Sequence, residues 1–307
     1  MKIGHISDLH WLDLSGARIR DFFNKRLTGG FNLVAGRAKK HTKQAVIDAL
    51  DAMRASGVDH LVVTGDLTNL ALPSEFKAVM DTIDGYFDAA HRTIVPGNHD
   101  FYTRESARCD RFCHYVYGDD RSAQGDCILC GNNPWPFAQI RDDVCFIALN
   151  SAQPRPWFVA AGRLGTHQCD DLATLLARRE ITSCYKIALL HHHIVRVVKA
   201  PGESLRCLDD RKQFLDICQN GGVDLILHGH NHDFSQFKVG NTLISEAGSC
   251  SVSHFKRDNR AGKFNIYTIE DKRLVDVATW RYEDGHYKPW RHVTPSDFKS
   301  LPIGDVP

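Results

Sequence analysis

The strongest constraint in the sequence is a set of five short apolar segments that each run directly into histidine, aspartate or asparagine. The segment 92–95 is followed by a Pro-Gly break and then by Asn98, His99 and Asp100, so polar side chains emerge where a buried strand is predicted to end. The other segments, 3–6, 60–63, 186–190 and 223–227, lead into Asp8-Leu9-His10, Gly65-Asp66, His191-His192-His193 and Gly229-His230-Asn231-His232. Strand ends are where α/β proteins place their chemistry, so the five together predict one shared metal site.

Between these segments the hydrophobic pattern alternates between helix and strand. Helical spacing of apolar residues predicts helices over 43–56, 73–87, 104–117, 166–179 and 209–219. The segment 118–143 is interpreted as irregular, and an antiparallel meander is predicted over 234–239, 242–247, 264–270 and 274–282. The pattern predicts an α/β protein with a partly parallel sheet, formed by a single domain over residues 1–282 and followed by a polar C-terminal tail over 283–307.

Composition and charge narrow the class of protein. The chain has 307 residues, of which 43% are hydrophobic and 24% charged, as in an ordinary soluble globular protein. Its formal net charge of +1 gives no general reason to expect nucleic acid or an anionic membrane as a partner. No apolar stretch approaches the roughly 18 residues needed to cross a bilayer, and the first residues already resemble a strand rather than a signal peptide. We therefore predict a cytoplasmic protein.

Four of the ten cysteines form a cluster with a spacing that a structural zinc site could use. They are Cys109, Cys113, Cys127 and Cys130. The alternative, which we favour for a cytosolic chain, is that they are reduced thiols.

The donors at the strand ends are carboxylates, imidazoles and an amide, without a thiolate. They include Asp8, His10, Asp66, Asn98, His230 and His232. Such a set suits Mn, Fe or Zn better than a soft copper site. A single tetrahedral ion needs only four ligands, so the surplus predicts two ions that share a carboxylate. Two metal ions about 3.5 Å apart are suited to phosphoryl transfer, and the pattern therefore predicts hydrolysis of a phosphate ester.

In order along the chain, the five polar blocks resemble those of the calcineurin-like metallophosphoesterases, especially a bacterial branch similar to cyclic nucleotide phosphodiesterases. The matching residues are Asp8-Leu9-His10, Gly65-Asp66, Gly97-Asn98-His99-Asp100, His191 and Gly229-His230-Asn231-His232. The blocks are specific as a set although each alone is not, and the resemblance covers about residues 1–250. It implies the metallo-dependent phosphatase fold, a four-layer α/β/β/α sandwich of two mixed β-sheets flanked by helices.

The resemblance also implies a role for each matching side chain. Asp8, His10 and His232 would hold one metal ion, Asn98, His191 and His230 would hold the second, and Asp66 would bridge them. His99 would act as the acid that assists the leaving group, with Asp100 nearby to orient it. The attacking group would be a metal-bound hydroxide.

His192 is an alternative to His191 as the metal-binding histidine after this strand. The family usually has proline two residues after this histidine, whereas this chain has His191-His192-His193-Ile194. Counting from the apolar strand favours His191, and a slip of one residue would select His192.

The resemblance favours a phosphodiesterase acting on a small phosphoester, of the cyclic nucleotide or glycerophosphodiester type. His99 could assist a poor alkoxide leaving group, which also favours diesters. The alternatives are a phosphomonoesterase, a DNA-end nuclease of the same superfamily and a non-catalytic binding scaffold. A nuclease would need a basic groove, which the near-zero net charge argues against. The family is often dimeric, so a homodimer is expected.

Overall fold

The computed structural model describes nine ranges of the chain. Parallel and antiparallel strands form two sheets, and helices cover the outer face of each. The described ranges are 1–15, 41–101, 103–108, 110–118, 127–130, 133–156, 159–195, 205–253 and 261–302.

Strands and helices alternate over the first two thirds of the chain, as the apolar pattern predicts. The strands are β1 (Lys2–Ile6), β2 (His60–Thr64), β3 (Arg92–Val95), β4 (Cys127–Leu129), β5 (Phe137–Arg141), β6 (Val144–Ala148), β7 (Tyr185–Leu189), β8 (Leu225–His228), β9 (Ser235–Val239), β10 (Thr242–Glu246), β11 (Lys263–Glu270), β12 (Arg273–Glu283), β13 (His286–Val293) and β14 (Lys299–Leu301). The helices are α1 (Lys43–Ala55), α2 (Pro73–Asp84), α3 (Arg104–Arg108), α4 (Arg111–Tyr117), α5 (Thr166–Leu176), α6 (Arg179–Thr182) and α7 (Arg211–Asn220).

The topology brings the ends of the parallel strands to one edge of the molecule. One sheet has the order β13-β12-β11-β1-β2-β3, and its strands β1, β2 and β3 are parallel. The other has the order β14-β9-β10-β8-β7-β6-β5-β4, with β6, β7, β8 and β10 parallel. Because parallel strands point their carboxyl ends the same way, the loops that follow them can meet.

Alternation of side chains along β6 shows how the layers are stacked. Phe146 packs in the core between the two sheets, where its ring stacks on His60 of β2 at a centroid distance of 4.1 Å. Its neighbour Ile147 points to the opposite face and packs with Leu172 of α5 and Phe214 of α7. Helices α1 and α2 cover the outer face of the first sheet through an apolar stripe each. The expected four-layer sandwich of two mixed sheets is thereby confirmed.

Three parts of the chain differ from the expectation. The segment predicted as irregular contains β4, which has three residues, and β5, which begins directly after Pro136. The predicted meander is divided, because β9 and β10 join the second sheet while β11 and β12 join the first. The segment predicted as a tail forms the strands β13 and β14. The sequence pattern does not predict β13, because only Tyr287 and Val293 of this edge strand are buried.

Hydrogen bonds cross the core between the sheets. Thr93 Oγ1 on β3 donates to Gln139 Oε1 on β5 at 2.6 Å, and Tyr267 Oη on β11 donates to Ser245 Oγ on β10 at 2.8 Å. All four side chains are buried, so each bond satisfies polar groups that would otherwise be costly in the core. These contacts fix the position of one sheet relative to the other.

Two predictions, one about membrane spans and one about the cysteine cluster, concern residues away from the strand ends. In the described ranges, no helix combines the length and the apolar character that a membrane span requires. In the cysteine cluster, Cys113 and Cys130 are buried and Cys127 is half-buried, while Cys109 lies outside the described residues. The favoured reduced thiols and the alternative zinc site therefore both stay untested predictions.

Candidate metal centre

The loops after β1, β2, β3, β7 and β8 meet at one edge of the sandwich. The amide of Asp8 donates to the carbonyl of Gly65 at 3.1 Å, and that of His10 donates to the carbonyl of Asp66 at 2.9 Å. Across the two sheets, the amide of His230 donates to Oδ2 of Asp8 at 3.0 Å. The structure thus brings the five polar blocks of the sequence together.

Five of these polar residues have left-handed backbone conformations. The φ angles are +55° for Asp8, +45° for His10, +53° for Asp66, +81° for His230 and +58° for His232. Such conformations are uncommon for residues other than glycine and cost about 1–3 kcal/mol each. Their concentration at one edge of the sheets indicates a functional constraint on where these side chains point.

Two glycines allow the loops to approach closely. A Cβ atom on Gly97 would collide with the backbone nitrogen and Oδ1 of Asp66, and one on Gly229 would collide with Oγ of Ser7. The glycines therefore set how near the loops after β3 and β8 come to the carboxylates after β2 and β1.

The first cluster of donor atoms is formed by Asp8, His10 and His232. His10 Nε2 lies 3.0 Å from His232 Nε2, and His232 Nε2 lies 3.3 Å from Asp8 Oδ1. His10 Nε2 is 3.9 Å from the same carboxylate oxygen. Ligands of one ion, with bonds of about 2.1 Å, lie about 3.0–3.4 Å apart, so the cluster has nearly the spacing of a coordination sphere.

The second cluster is formed by Asn98, His191 and His230. His191 Nε2 lies 3.2 Å from Asn98 Oδ1 and 3.1 Å from His230 Nδ1. The other ring nitrogen of His191 is 2.7 Å from the carbonyl oxygen of Thr64 and donates to it. That bond leaves Nε2 of His191 with the lone pair that a metal ligand needs.

Asp66 stands between the two clusters. Its Oδ2 lies 3.8 Å from His10 Nε2 of the first cluster and 3.4 Å from His191 Nε2 of the second. Its other oxygen accepts a hydrogen bond from the backbone amide of His99 at 2.8 Å. One carboxylate oxygen is therefore within reach of both groups of donors.

Burial and charge indicate that the site is built for cations. Asp8 Oδ1 is buried and faces the imidazole nitrogen Nε2 of His232 at 3.3 Å. Burial alone would raise the pKa of Asp66, but the charges of His191 and His99 lower it below its ordinary value. Burial would lower the pKa of His191, but the charge of Asp66 raises it to about 9. A buried anion surrounded by imidazole nitrogens fits a site for divalent or trivalent metal ions.

His99 lies against the first cluster. Its ring is 4.8 Å from that of His10, and its Nδ1 donates to the carbonyl of Asn69 at 2.8 Å. The hydrogen bond fixes the tautomer that carries its lone pair on Nε2 when the ring is neutral. Asn69 therefore contributes to the site through its backbone carbonyl.

Asp100 ties the loop after β3 to the loop after β2. Its carboxylate accepts hydrogen bonds from the amides of Gly97, Leu67 and Thr68 and from the hydroxyl of Thr68, at 2.9 to 3.2 Å. Burial and the nearby charge of Asp66 raise the pKa of Asp100 to about 7. These contacts position the backbone that carries His99.

The ring of His192, the alternative to His191, also lies near that of His230, at a centroid distance of 4.6 Å, but its contacts differ from those of His191. Its Nδ1 lies 2.8 Å from Ser151 Oγ, and its ring packs so closely on Gly162 that a Cβ atom there would collide with it. Burial and the charge of His191 hold the pKa of His192 well below its usual range. The geometry therefore favours His191 as the donor of the second cluster.

One histidine beside the site is missing from the predicted set. The ring of His41 lies 4.8 Å from that of His10 and 5.5 Å from that of His232. His41 follows no apolar strand and stands just before the helix α1, so the pattern that marks the other donors could not find it.

Comparison with known proteins identifies relatives by sequence. The family model of the calcineurin-like phosphoesterases matches residues 1–234. A curated protein of Vesicomyosocius okutanii subsp. Calyptogena okutanii (strain HA), named "Probable cyclic nucleotide phosphodiesterase", is 25% identical over 224 residues. The match covers 72% of this chain and 82% of that protein.

Solved structures share the fold at low sequence identity. A dimetal phosphatase from Danio rerio has a TM-score of 0.57 and 12% identity, with 94% of this chain and 98% of that chain covered. A purple acid phosphatase from seeds of yellow lupin (Lupinus luteus) has a TM-score of 0.60 and 13% identity, with 98% of this chain covered. The chain spans about half of the lupin protein, since 54% of the latter is covered. At these identities the likeness concerns the fold alone.

The assignment of His191 can be tested against His192 by counting bound metal. We expect His191→Asn to weaken one of two bound ions by more than about 10-fold, because Nε2 of His191 faces Asn98 and His230. The matched variant His192→Asn is expected to bind metal as the wild type does. Both proteins are checked by circular dichroism, loaded with Mn²⁺ and analysed by inductively coupled plasma mass spectrometry. Loss of an ion in His192→Asn alone would contradict the assignment.

Proposed function

The chain belongs to the calcineurin-like phosphoesterase family, and on this premise we propose that it hydrolyses phosphodiesters at a centre of two metal ions. Asp8, His10 and His232 would hold the first ion, and Asn98, His191 and His230 the second. Asp66 would bind both. The observation that carries the proposal is the position of Asp66 Oδ2, which lies within 3.8 Å of a donor nitrogen in each cluster.

The donor set fits the chemistry of phosphoester hydrolysis. Carboxylate, amide and imidazole ligands suit Mn, Fe or Zn. Two such ions, when bound, would polarise the phosphate oxygens, supply a nucleophile near neutral pH and stabilise the charge of an in-line transition state. The protein holds the donors in place through the cross-sheet hydrogen bonds and the left-handed turns.

His99 would donate a proton to the leaving group. Its backbone amide is held by Asp66 and its Nδ1 by the carbonyl of Asn69, so the imidazole has a fixed orientation next to the first cluster. A protonated Nε2 could donate to the departing alkoxide oxygen, which is a poor leaving group without a proton. Asp100 would act as a positioning residue, because its carboxylate binds the turn that carries His99.

Two considerations support a diester rather than a monoester as substrate. Assistance by His99 is most useful for an alkoxide leaving group. The relative at 25% identity has a name that refers to cyclic nucleotide hydrolysis. We propose a small diester of the cyclic nucleotide or glycerophosphodiester type. The cytoplasmic location and the homodimer stay predictions.

The proposal predicts metal-dependent diesterase activity. Chelator-stripped protein should hydrolyse bis(p-nitrophenyl) phosphate after addition of Mn²⁺, Fe²⁺ or Zn²⁺, and faster than p-nitrophenyl phosphate. Asp66→Ala should lose both bound ions and activity, because it removes the shared carboxylate. Preference for the monoester would favour a phosphomonoesterase, and metal-loaded protein that hydrolyses neither probe would contradict the proposal.

A second variant separates proton transfer from metal binding. His99→Asn should retain both ions and lose about 10²- to 10⁴-fold in kcat for a diester with an alkoxide leaving group, because it removes the general acid. The loss should be smaller for a diester with a more acidic leaving group, which needs less help from a proton. An equal loss for leaving groups of different pKa would contradict the role given to His99.

A further inference from the structure

The imidazole of His41 extends the first donor cluster beyond the residues that the family resemblance supplies. One donor nitrogen from each of His10, His41 and His232 can be chosen so that all three lie within 4.8 Å of one another. The ring of His41 meets those of His10 and His232 at steep interplanar angles of 72° and 83°. Neither of these pairs is stacked face to face, so the three rings can present nitrogens to a shared space.

His41 is held in place by the segment that follows β10. The amide of its neighbour Thr42 donates to the carbonyl of Ser251 at 2.8 Å, and His41 itself forms an antiparallel bridge with Val252. The side chain of Thr42 then caps α1 by accepting from the amide of Ala45. The position of His41 is thus fixed by its bridge to Val252 and by the helix that begins two residues later.

The hydrogen bonds of Ser251 bear on the tautomer of His41. His41 Nδ1 lies 2.7 Å from Ser251 Oγ, and the same hydroxyl donates to the carbonyl of Asp8 at 2.9 Å. A serine hydroxyl has one proton, so when Ser251 donates it to the carbonyl of Asp8, the imidazole of His41 donates its Nδ1 proton to the serine. The lone pair of His41 is then on Nε2, as in His191 and other histidines that bind metal ions.

The distances between the rings match those of imidazoles bound to a single ion. With metal–nitrogen bonds of about 2.0–2.1 Å and angles of about 90–120°, two such rings have centroids about 4.5–5.5 Å apart. The observed separations are 4.8 Å for His10 and His41, 4.9 Å for His10 and His232, and 5.5 Å for His41 and His232. All three fall within that range.

We propose that His41 is a further ligand of the first metal ion, an inference that rests on the proposed dinuclear site. The first ion would then have five protein ligands, and the second, with Asn98, His191, His230 and Asp66, would have four. Five ligands with nitrogen and carboxylate donors exceed a tetrahedral zinc site and suit Mn²⁺ or Fe²⁺ better. We therefore expect the first ion to bind more tightly than the second.

The test counts Mn²⁺ bound at increasing free concentration by chelator-stripped wild type, by His41→Ala and by a control. The control is His167→Ala, whose histidine is exposed on α5. His41→Ala should weaken the tighter of the two ions by more than about 10-fold and leave the weaker ion unchanged. The control should bind both ions as the wild type does.

A serine pair provides a test that keeps the imidazole. Ser249 Oγ and Ser251 Oγ both donate to the carbonyl of Asp8, at 2.7 and 2.9 Å, but of the two only Ser251 Oγ is hydrogen-bonded to Nδ1 of His41. Ser251→Ala should therefore weaken the tighter ion by about 10-fold more than Ser249→Ala does. This comparison also decides the question if His41→Ala fails to fold.

The outcomes distinguish this inference from the proposed function. Wild type with two ions and His41→Ala with unchanged affinity for both would overturn the role of His41 and leave the dinuclear site intact. Unchanged metal affinity with a raised KM for bis(p-nitrophenyl) phosphate would overturn it too and assign His41 to the substrate. Wild type that binds fewer than two ions would overturn the proposed site, and the inference with it.

Discussion

The buried negative charge of Asp66 is the feature on which the rest of the site depends. A carboxylate in this position is costly unless positive charge surrounds it. Its surroundings are the imidazoles of His10 and His191 on either side and the amide of His99 behind it. Each of these three residues follows a different parallel strand, so the fold must bring three strand ends together before the charge can be accommodated.

The backbone conformations that bring these strand ends together are locally strained. Left-handed turns at Asp8, His10 and Asp66 direct their side chains into the space between the sheets. Gly97 and Gly229 remove the Cβ atoms that would keep the loops apart. The hydrogen bonds across the core fix the position of one sheet relative to the other. The separation of the two donor clusters is fixed as a result.

The sequence predicted which polar segments meet at the strand ends better than it predicted the edges of the fold. The donors follow buried parallel strands, and such strands are recognisable as apolar runs that end in polar turns. Strand β13 is exposed along most of its length, and β14 has three residues, so neither has an apolar pattern. His41 could not be predicted for a different reason. It reaches the site only because the segment around Ser251 folds back on the start of α1, a contact between residues about 210 positions apart.

The measurement that most directly tests a shared Asp66 is electron paramagnetic resonance of the protein loaded with Mn²⁺. A carboxylate that binds both ions keeps them close enough for their spins to couple. The account predicts two Mn²⁺ per chain and the spectrum of a coupled pair, which should be lost in Asp66→Ala. Full loading that shows only the spectrum of isolated Mn²⁺ would contradict a bridged centre, and the mechanism built on it would have to be abandoned.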